Sequence, residues 1–406
     1  MNTLPQQIQQ LYVSVENTDI GTLTHAATHY YQPTQTEISP SLTMKRNSLQ
    51  GFESGALHPI FAQNLPEGFT RRFIAERLAR YAKVNDMYLL ALSGKYGIGM
   101  LSYHSDFTLP EPESVTLDSI LHYQGSEPLF PQLLEKYYLR NALSGVQPKV
   151  SVPNINRTLE QKDLIVKSFD EEFPLLTVNE YVCMQCADYC GLNPPTSYLS
   201  DNFETFVIER FDRYDGISDT PQCLGFEDFT TLLKKPNNPN AKYLGSYETL
   251  LKATYLYTQS LQAVETMYRY IVFNCLIGNG DAHLKNFALQ YTPDHSRIFV
   301  SPPFDITHTL IYDTIDDKMA LKMAGSKFFP DKKTLIALAT SPEFHIRKAQ
   351  HIIEEIAQNI RDYINQSDEV LLFKGLKQSI LASVDNAMSE HYSPKNYRHD
   401  KKRKYE

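Results

Sequence analysis

The run Tyr268–Ile277 (YRYIVFNCLI) is apolar enough to demand burial and too short to cross a bilayer, so it predicts a buried helix around which a core must form. Directly behind it comes GNGDAHLKNFAL (278–289), which sets Asp281, His283, Lys285 and Asn286 within six positions. Polar groups delivered at the end of a buried element either cap it or carry chemistry.

At 406 residues the chain exceeds one ordinary compact domain, and two domains or one large bilobal unit are expected. A net charge of −8 argues against nonspecific nucleic-acid binding as the main activity, leaving only local basic patches for such contacts. No apolar window is long enough to span a membrane, and MNTLPQQIQQ lacks the basic-then-apolar order of a secretory leader. Five cysteines, an odd number, suit a reducing cytoplasm better than a disulfide framework. A cytoplasmic protein with no membrane association is therefore expected.

Along the first hundred residues short strand-like runs alternate with turns: LYVSV (11–15), DIGTL (19–23) and SLTM (41–44). A helix is predicted after NLPEGF (64–69), with Phe73, Ile74, Leu78 and Tyr81 on its apolar face and Arg71, Arg72, Glu76 and Arg77 on its solvated one. The segment from Leu101 to Pro131 lacks periodicity and reads as a connection. Beyond it, KDLIVKSF (162–169) and TFVIERF (205–211) are strand candidates. A helix is expected from Thr177 to about Cys190, stopped by Gly191, and another across Glu343–Ile364.

Three stretches imitate functional motifs. GKYGIG (94–99) fits neither phosphate-loop template and reads as a tight hairpin between strands. Cys183, Cys186 and Cys190 have metal-like spacing but no second pair, and on a helix they form a buried stripe. The basic run KNYRHDKKRKYE (395–406) is either a solvated tail or a contact to a nucleic-acid backbone or acidic partner.

The spacing Asp281-x-x-x-x-Asn286 is that of a kinase catalytic loop, where an Asp orients the attacking hydroxyl and an Asn binds magnesium. Phosphoryl transfer needs positioned metal and positive charge, so a second carboxylate must follow; Asp305, after the strand-like RIFVSPPF, supplies it. Upstream, LIVKSF offers Lys167 for the α and β phosphates, TVNEYV offers Glu180 as its partner, and TFVIERF has the character of an adenine-contacting hinge. A lone strand Lys is usually a surface residue and an Asp–Asn loop usually a turn. The force lies in the order, which is that of a kinase, and it points to ATP-dependent phosphoryl transfer.

With those residues in place the chain resembles the HipA family, the kinase toxins of bacterial type II toxin–antitoxin modules. The likeness rests on DIGTL, ISPSLTM, HPIFAQNLPEG and GKYGIGMLSY in the first part. In the second it rests on LSGVQPKV (143–150), LIVKSF, NEYVCMQCADYCGL, VIERFDR (207–213), FEDF (226–229) and GDAHLKNFAL. It implies an α+β, bilobal protein-kinase-like fold. A β-rich N-terminal subdomain would occupy 1–110, a region with phosphate loop, Lys strand and hinge 111–213, and a mostly helical C-terminal lobe 214–406.

The resemblance further implies ATP and Mg²⁺ as cofactors. Asp281 would be the catalytic residue, Asn286 and Asp305 the metal ligands, and Lys167 the phosphate lysine. Glu209 and Phe211 fall at the hinge, and His283 and Lys285 beside the nucleotide. Ser144, Gly145, Val146 and Gln147 fall in the phosphate loop. Relatives autophosphorylate a serine of this loop to switch themselves off. Here Ala142 occupies the first position that can carry that serine, so Ser144 would have to serve. The implied partners are a dimeric helix-turn-helix antitoxin of the HipB kind, operator DNA mainly through that antitoxin, and an aminoacyl-tRNA synthetase as substrate. Two other readings compete: a small-molecule kinase of the aminoglycoside type, which shares G-D-x-H-x-x-N, and a catalytically silent protein that only binds an antitoxin or DNA.

Overall fold

The computed structural model describes residues 5–107, 115–130, 132–133, 149–155, 161–168, 173–214 and 222–390. They fall into two compact units interleaved along the chain. The first is drawn from 1–177, 196–239 and 289–298, the second from 178–195, 240–288 and 299–406.

The first unit is mostly sheet. β1 (Gln10–Val15), β2 (Thr18–His25), β3 (His29–Pro33), β4 (Phe52–Ser54) and β5 (Leu101–His104) form an antiparallel sheet in the order β4-β3-β2-β1-β5. Alternation sets its inner face: Leu11, Val13 and Val15 are buried, while Ser14 turns its hydroxyl to Asp19 at 2.7 Å. The β1–β2 turn places Glu16 and Asn17 at φ 50 and 77°, the left-handed pair a two-residue hairpin demands. At Gly21 the Tyr31 ring crosses so closely that a Cβ would lie 2.5 Å from it.

A second antiparallel sheet runs β6-β7-β9-β8, from β6 (Lys149–Ile155), β7 (Gln161–Ser168), β8 (Ser197–Leu199) and β9 (Thr205–Glu209). Leu164, Val166 and Val207 pack from it onto Ile120, Phe130 and Leu133. Lys167 therefore sits on an interior strand, opposite Phe206.

Several local expectations change. GKYGIG does not join two strands: it follows a helix, Asp86–Ser93, whose N-terminus is capped by the Asn85 side chain accepting from the Tyr88 amide. SLTM is turn rather than strand, because Ser41 Oγ and the Leu42 amide are drawn to Glu227, at 2.9 and 2.6 Å, instead of to a neighbouring strand. The arginine-bearing helix spans Gly68–Leu78, so Tyr81 lies beyond it and is exposed. The stretch from 101 to 131, read as a connection, contains β5 and a short helix, Leu117–Leu121.

The second unit is helical. Tyr247–Thr258, Leu261–Ile277, Ala349–Gln366 and Leu376–Met388 pack around the apolar run, with most of Leu176–Tyr189 beside them. Leu261–Ile277 is the predicted buried helix. Ser260 caps its start, accepting from the Ala263 amide, and Gly278 at φ 80° ends it. Ile346 precedes the helix it was placed in, which begins only after Lys348. Cys183, Cys186 and Cys190 are buried, as the helical stripe required. Among the described residues no group of three His, Cys, Asp or Glu side chains is placed to hold a metal ion.

Candidate active site

The loop after the buried helix is built from its own side chains. Asn274, in the helix's last turn, accepts through its carbonyl from the Asn279 amide at 2.9 Å and through its side chain from Asn279 Nδ2 at 2.7 Å. Asn279 Oδ1 in turn receives the Asp281 amide at 3.1 Å. Gly280 is obligatory between them, since a Cβ there would stand 2.7 Å from the Lys318 carbonyl. A 3₁₀ turn, Leu284–Asn286, then returns Asn286 toward the segment containing Asp305.

Asn286 ties the loop to that segment through two hydrogen bonds. Asn286 Nδ2 donates to the Asp305 carbonyl at 3.2 Å and to Asp305 Oδ2 at 3.3 Å. The Tyr270 hydroxyl, rising from the buried helix, contacts the carbonyls of Asn286 and Phe304 at 3.1 and 2.8 Å. Asp305 itself sits at φ 60°, a left-handed conformation that only the surrounding contacts make tolerable for a residue with a side chain.

Three electrostatic features mark the cluster. Half of the Asp281 side chain meets solvent (51%), yet the protein packed beneath it raises its carboxyl to about 6. The Lys242 ammonium pulls that value back, and the Asp305 charge adds to the rise. Burial pushes His283 down to about 3, with Lys242 adding to the fall, so its ring is neutral at pH 7. Its Nδ1 and Asn286 Oδ1 are both buried without a hydrogen-bond partner among the described residues. A buried orphan acceptor costs about 1–3 kcal/mol.

Asn286 Oδ1 is a hard neutral oxygen next to the Asp305 carboxylate, and such a donor pair fits Mg²⁺, which binds through one or two carboxylates plus substrate phosphates.

The structure thus gathers Asp281, His283, Asn286 and Asp305 within the second unit, with Lys285 half-buried on the same 3₁₀ turn. Glu180 is buried on helix Leu176–Tyr189. The remaining candidates belong to the first unit. Lys167 is buried on β7, its Nζ 5.9 Å from the centre of the Phe206 ring. Glu209 ends β9 and accepts from the Tyr198 hydroxyl at 2.9 Å, and the Phe211 carbonyl accepts from Gln290 Nε2 at 2.9 Å. Ser144, Gly145, Val146 and Gln147 lie outside the described residues, as does the basic run 395–406.

Two residues of the cluster carry no motif. The Tyr243 hydroxyl donates to Asp281 Oδ1 at 3.3 Å and its ring meets His283 edge-on at 5.4 Å. Lys242, buried beside Tyr243 on a second 3₁₀ turn, Ala241–Tyr243, holds its ammonium 5.2 Å from the centre of that ring. The only hint in NAKYLG is a lysine–tyrosine pair in a segment otherwise suited to a turn.

Comparison with known proteins gives a consistent picture. Residues 141–364 match the model of the HipA-like C-terminal domain, and residues 11–104 that of the HipA N-terminal domain. Y4mE of Sinorhizobium fredii, classed as a kinase by name alone, is 28% identical over 294 residues, covering 67% of this chain and 69% of its own. The serine/threonine-protein kinase toxin HipA of Shewanella oneidensis is 22% identical over 324 residues, covering 73% and 72%. A solved structure from that organism, of HipA with HipB and operator DNA, superposes with a TM-score of 0.66 at 19% identity, over 92% of this chain and 96% of the other. The fold is that of HipA.

Proposed function

This chain belongs to the HipA family of kinases, and from that premise we propose that it transfers the γ-phosphoryl group of ATP to a serine or threonine hydroxyl of a protein. The observation that carries the reading is the orphaned Asn286 Oδ1 beside Asp305, in the loop that presents Asp281.

In this reading Asp281 is the catalytic residue. Tyr243 occupies Oδ1, which leaves Oδ2 to accept the proton of the acceptor hydroxyl and aim its oxygen at the phosphorus. Asn286 and Asp305 hold Mg²⁺, which when bound neutralises charge developing on the phosphate oxygens. Lys167 contacts the α and β phosphates, and the backbone around Glu209 and Phe211 receives adenine. Neutral His283 and Lys285 border the nucleotide. Ser144, Gly145, Val146 and Gln147 form the phosphate loop, with Ser144 the site of self-inactivating autophosphorylation; these last roles rest on family resemblance.

The solved relative is bound to HipB and operator DNA. By analogy a helix-turn-helix antitoxin would neutralise this protein and bring it to DNA, and the substrate would be an aminoacyl-tRNA synthetase whose phosphorylation arrests translation. Such a role places it in the cytoplasm. No helix among the described residues is long and apolar enough to cross a membrane.

The test is incubation of purified protein with radiolabelled ATP and cell lysate, beside Asp281→Asn. Label should enter a protein band with the wild type and fall by at least about 10³-fold in the variant, whose folding is checked by thermal melting. Equal labelling by both proteins overturns the assignment of Asp281. Label confined to the small-molecule fraction would make it a small-molecule kinase, and none anywhere would make it a silent binding protein.

A further inference from the structure

The segment following Asp305 grips the segment preceding Asp281 at several points. His308 Nδ1 donates to the Ile277 carbonyl at 2.6 Å, and the Thr309 amide donates to the Gly278 carbonyl at 3.1 Å. The Thr309 hydroxyl donates to that same carbonyl at 3.3 Å while accepting the Gly280 amide at 2.7 Å. One hydroxyl is thereby used as donor and acceptor together, immediately before Asp281.

These groups have little freedom of their own. The His308 amide donates to Asn179 Oδ1 at 2.8 Å, and its carbonyl accepts from Asn179 Nδ2 at 2.9 Å. With Nδ1–H committed to Ile277, the ring's other nitrogen, Nε2, is hydrogen-bonded to the Ser379 hydroxyl at 2.6 Å. His308 and Thr309 are both buried. The fit leaves no slack: a Cβ on Gly278 would stand 2.8 Å from His308 Nδ1, and one on Gly280 2.7 Å from Thr309 Oγ1.

We propose that His308 and Thr309 are positioning residues that lock the Asp281 end of the loop to the Asp305 end of the following segment. The inference rests on the phosphoryl-transfer reading, in which Asp281 aims the acceptor and Asp305 aims the phosphate. Asn286, nineteen positions before Asp305, makes the other tie to it through Nδ2. The two ties together fix the separation of the carboxylates, and an error of about 1 Å in such a separation costs about 10²-fold in rate.

Thr309→Val removes both hydroxyl bonds at nearly constant shape, and Thr309→Ser keeps them. The expected result is a fall in kcat of about 10²-fold in Thr309→Val with KM for ATP little changed, and recovery to within a few-fold of wild type in Thr309→Ser. A second measurement needs no activity: amide hydrogen exchange at Gly280 and Asp281 should accelerate in Thr309→Val and not in Thr309→Ser. A wild-type kcat in Thr309→Val, or a Thr309→Ser as impaired as Thr309→Val, overturns the proposal. If the wild type transfers phosphate to nothing, the kinase reading fails instead, and unchanged exchange in Thr309→Val would still refute the lock by itself.

Discussion

Asn286 spends both its donor contacts on Asp305, and its own buried oxygen has no partner among the described residues. A group so arranged is stabilised only by what binds it. Asn286→Leu keeps the bulk, removes the orphan, and should leave the ligand-free melting temperature close to wild type. Addition of Mg²⁺ with ATP at about 100 times Kd should stabilise the wild type by about 2.7 kcal/mol. In Asn286→Leu the magnesium-dependent part of that rise should vanish in differential scanning fluorimetry; an undiminished rise would overturn the proposed metal-ligand role of Asn286. The approach of Asn286 to Asp305 was legible, because a kinase-like loop followed by a second carboxylate requires it. Tyr243 and Lys242 were not, because they reach Asp281 across the fold from a short turn with no periodicity and no motif. His308 and Thr309 were passed over for the same reason, since FDITHT reads as a metal-ligand Asp and nothing more.

Between elements, the comparable junction is Glu227 in the first unit. It is fully buried and accepts from Ser41 Oγ, the Leu42 amide and the Tyr291 hydroxyl, at 2.9, 2.6 and 2.7 Å, joining a loop and two strand segments. Burial raises its carboxyl to about 7 against 4.5 for an unperturbed one, although the three donors pull it down. The folded protein therefore holds this proton more tightly than the unfolded chain. Its contribution to stability is complete below about pH 4.5 and is lost as pH rises through about 7, amounting to about 3 kcal/mol. Urea unfolding of wild type and Glu227→Gln across that range should show the wild type losing this much relative to the variant as pH rises; a constant difference would mean Glu227 is ionised throughout. Regular elements were the readable part at this scale. Leu11, Val13 and Val15 alternate, and Ile353, Ile356 and Ile360 recur at helical spacing, so each periodic face announces its own burial. SLTM shows the limit: its short alternation is strand-like, but the acid that claims Ser41 and Leu42 lies 186 residues from Ser41.

At the scale of the whole chain, both units are stitched from three separated stretches, so no single cut divides them. Residues 240–406 contain Asp281, Asn286 and Asp305 but lack Asn179, whose side chain holds both backbone groups of His308. That fragment should show no cooperative thermal transition by circular dichroism, whereas the intact chain should; a sharp melt of the fragment would mean that 178–195 is dispensable. The interleaving escaped the sequence reading because linear boundaries are drawn where composition shifts, whereas returns such as 289–298 are too short to shift it. The same stitching has a consequence during synthesis. A ribosome exposes Lys167, then Asp281, then Asp305, and only afterwards the Ser379 hydroxyl that closes on His308. Nascent chains thus carry Asp281 and Asp305 for some time before Ser379 is there to close on the His308 that ties their segments together.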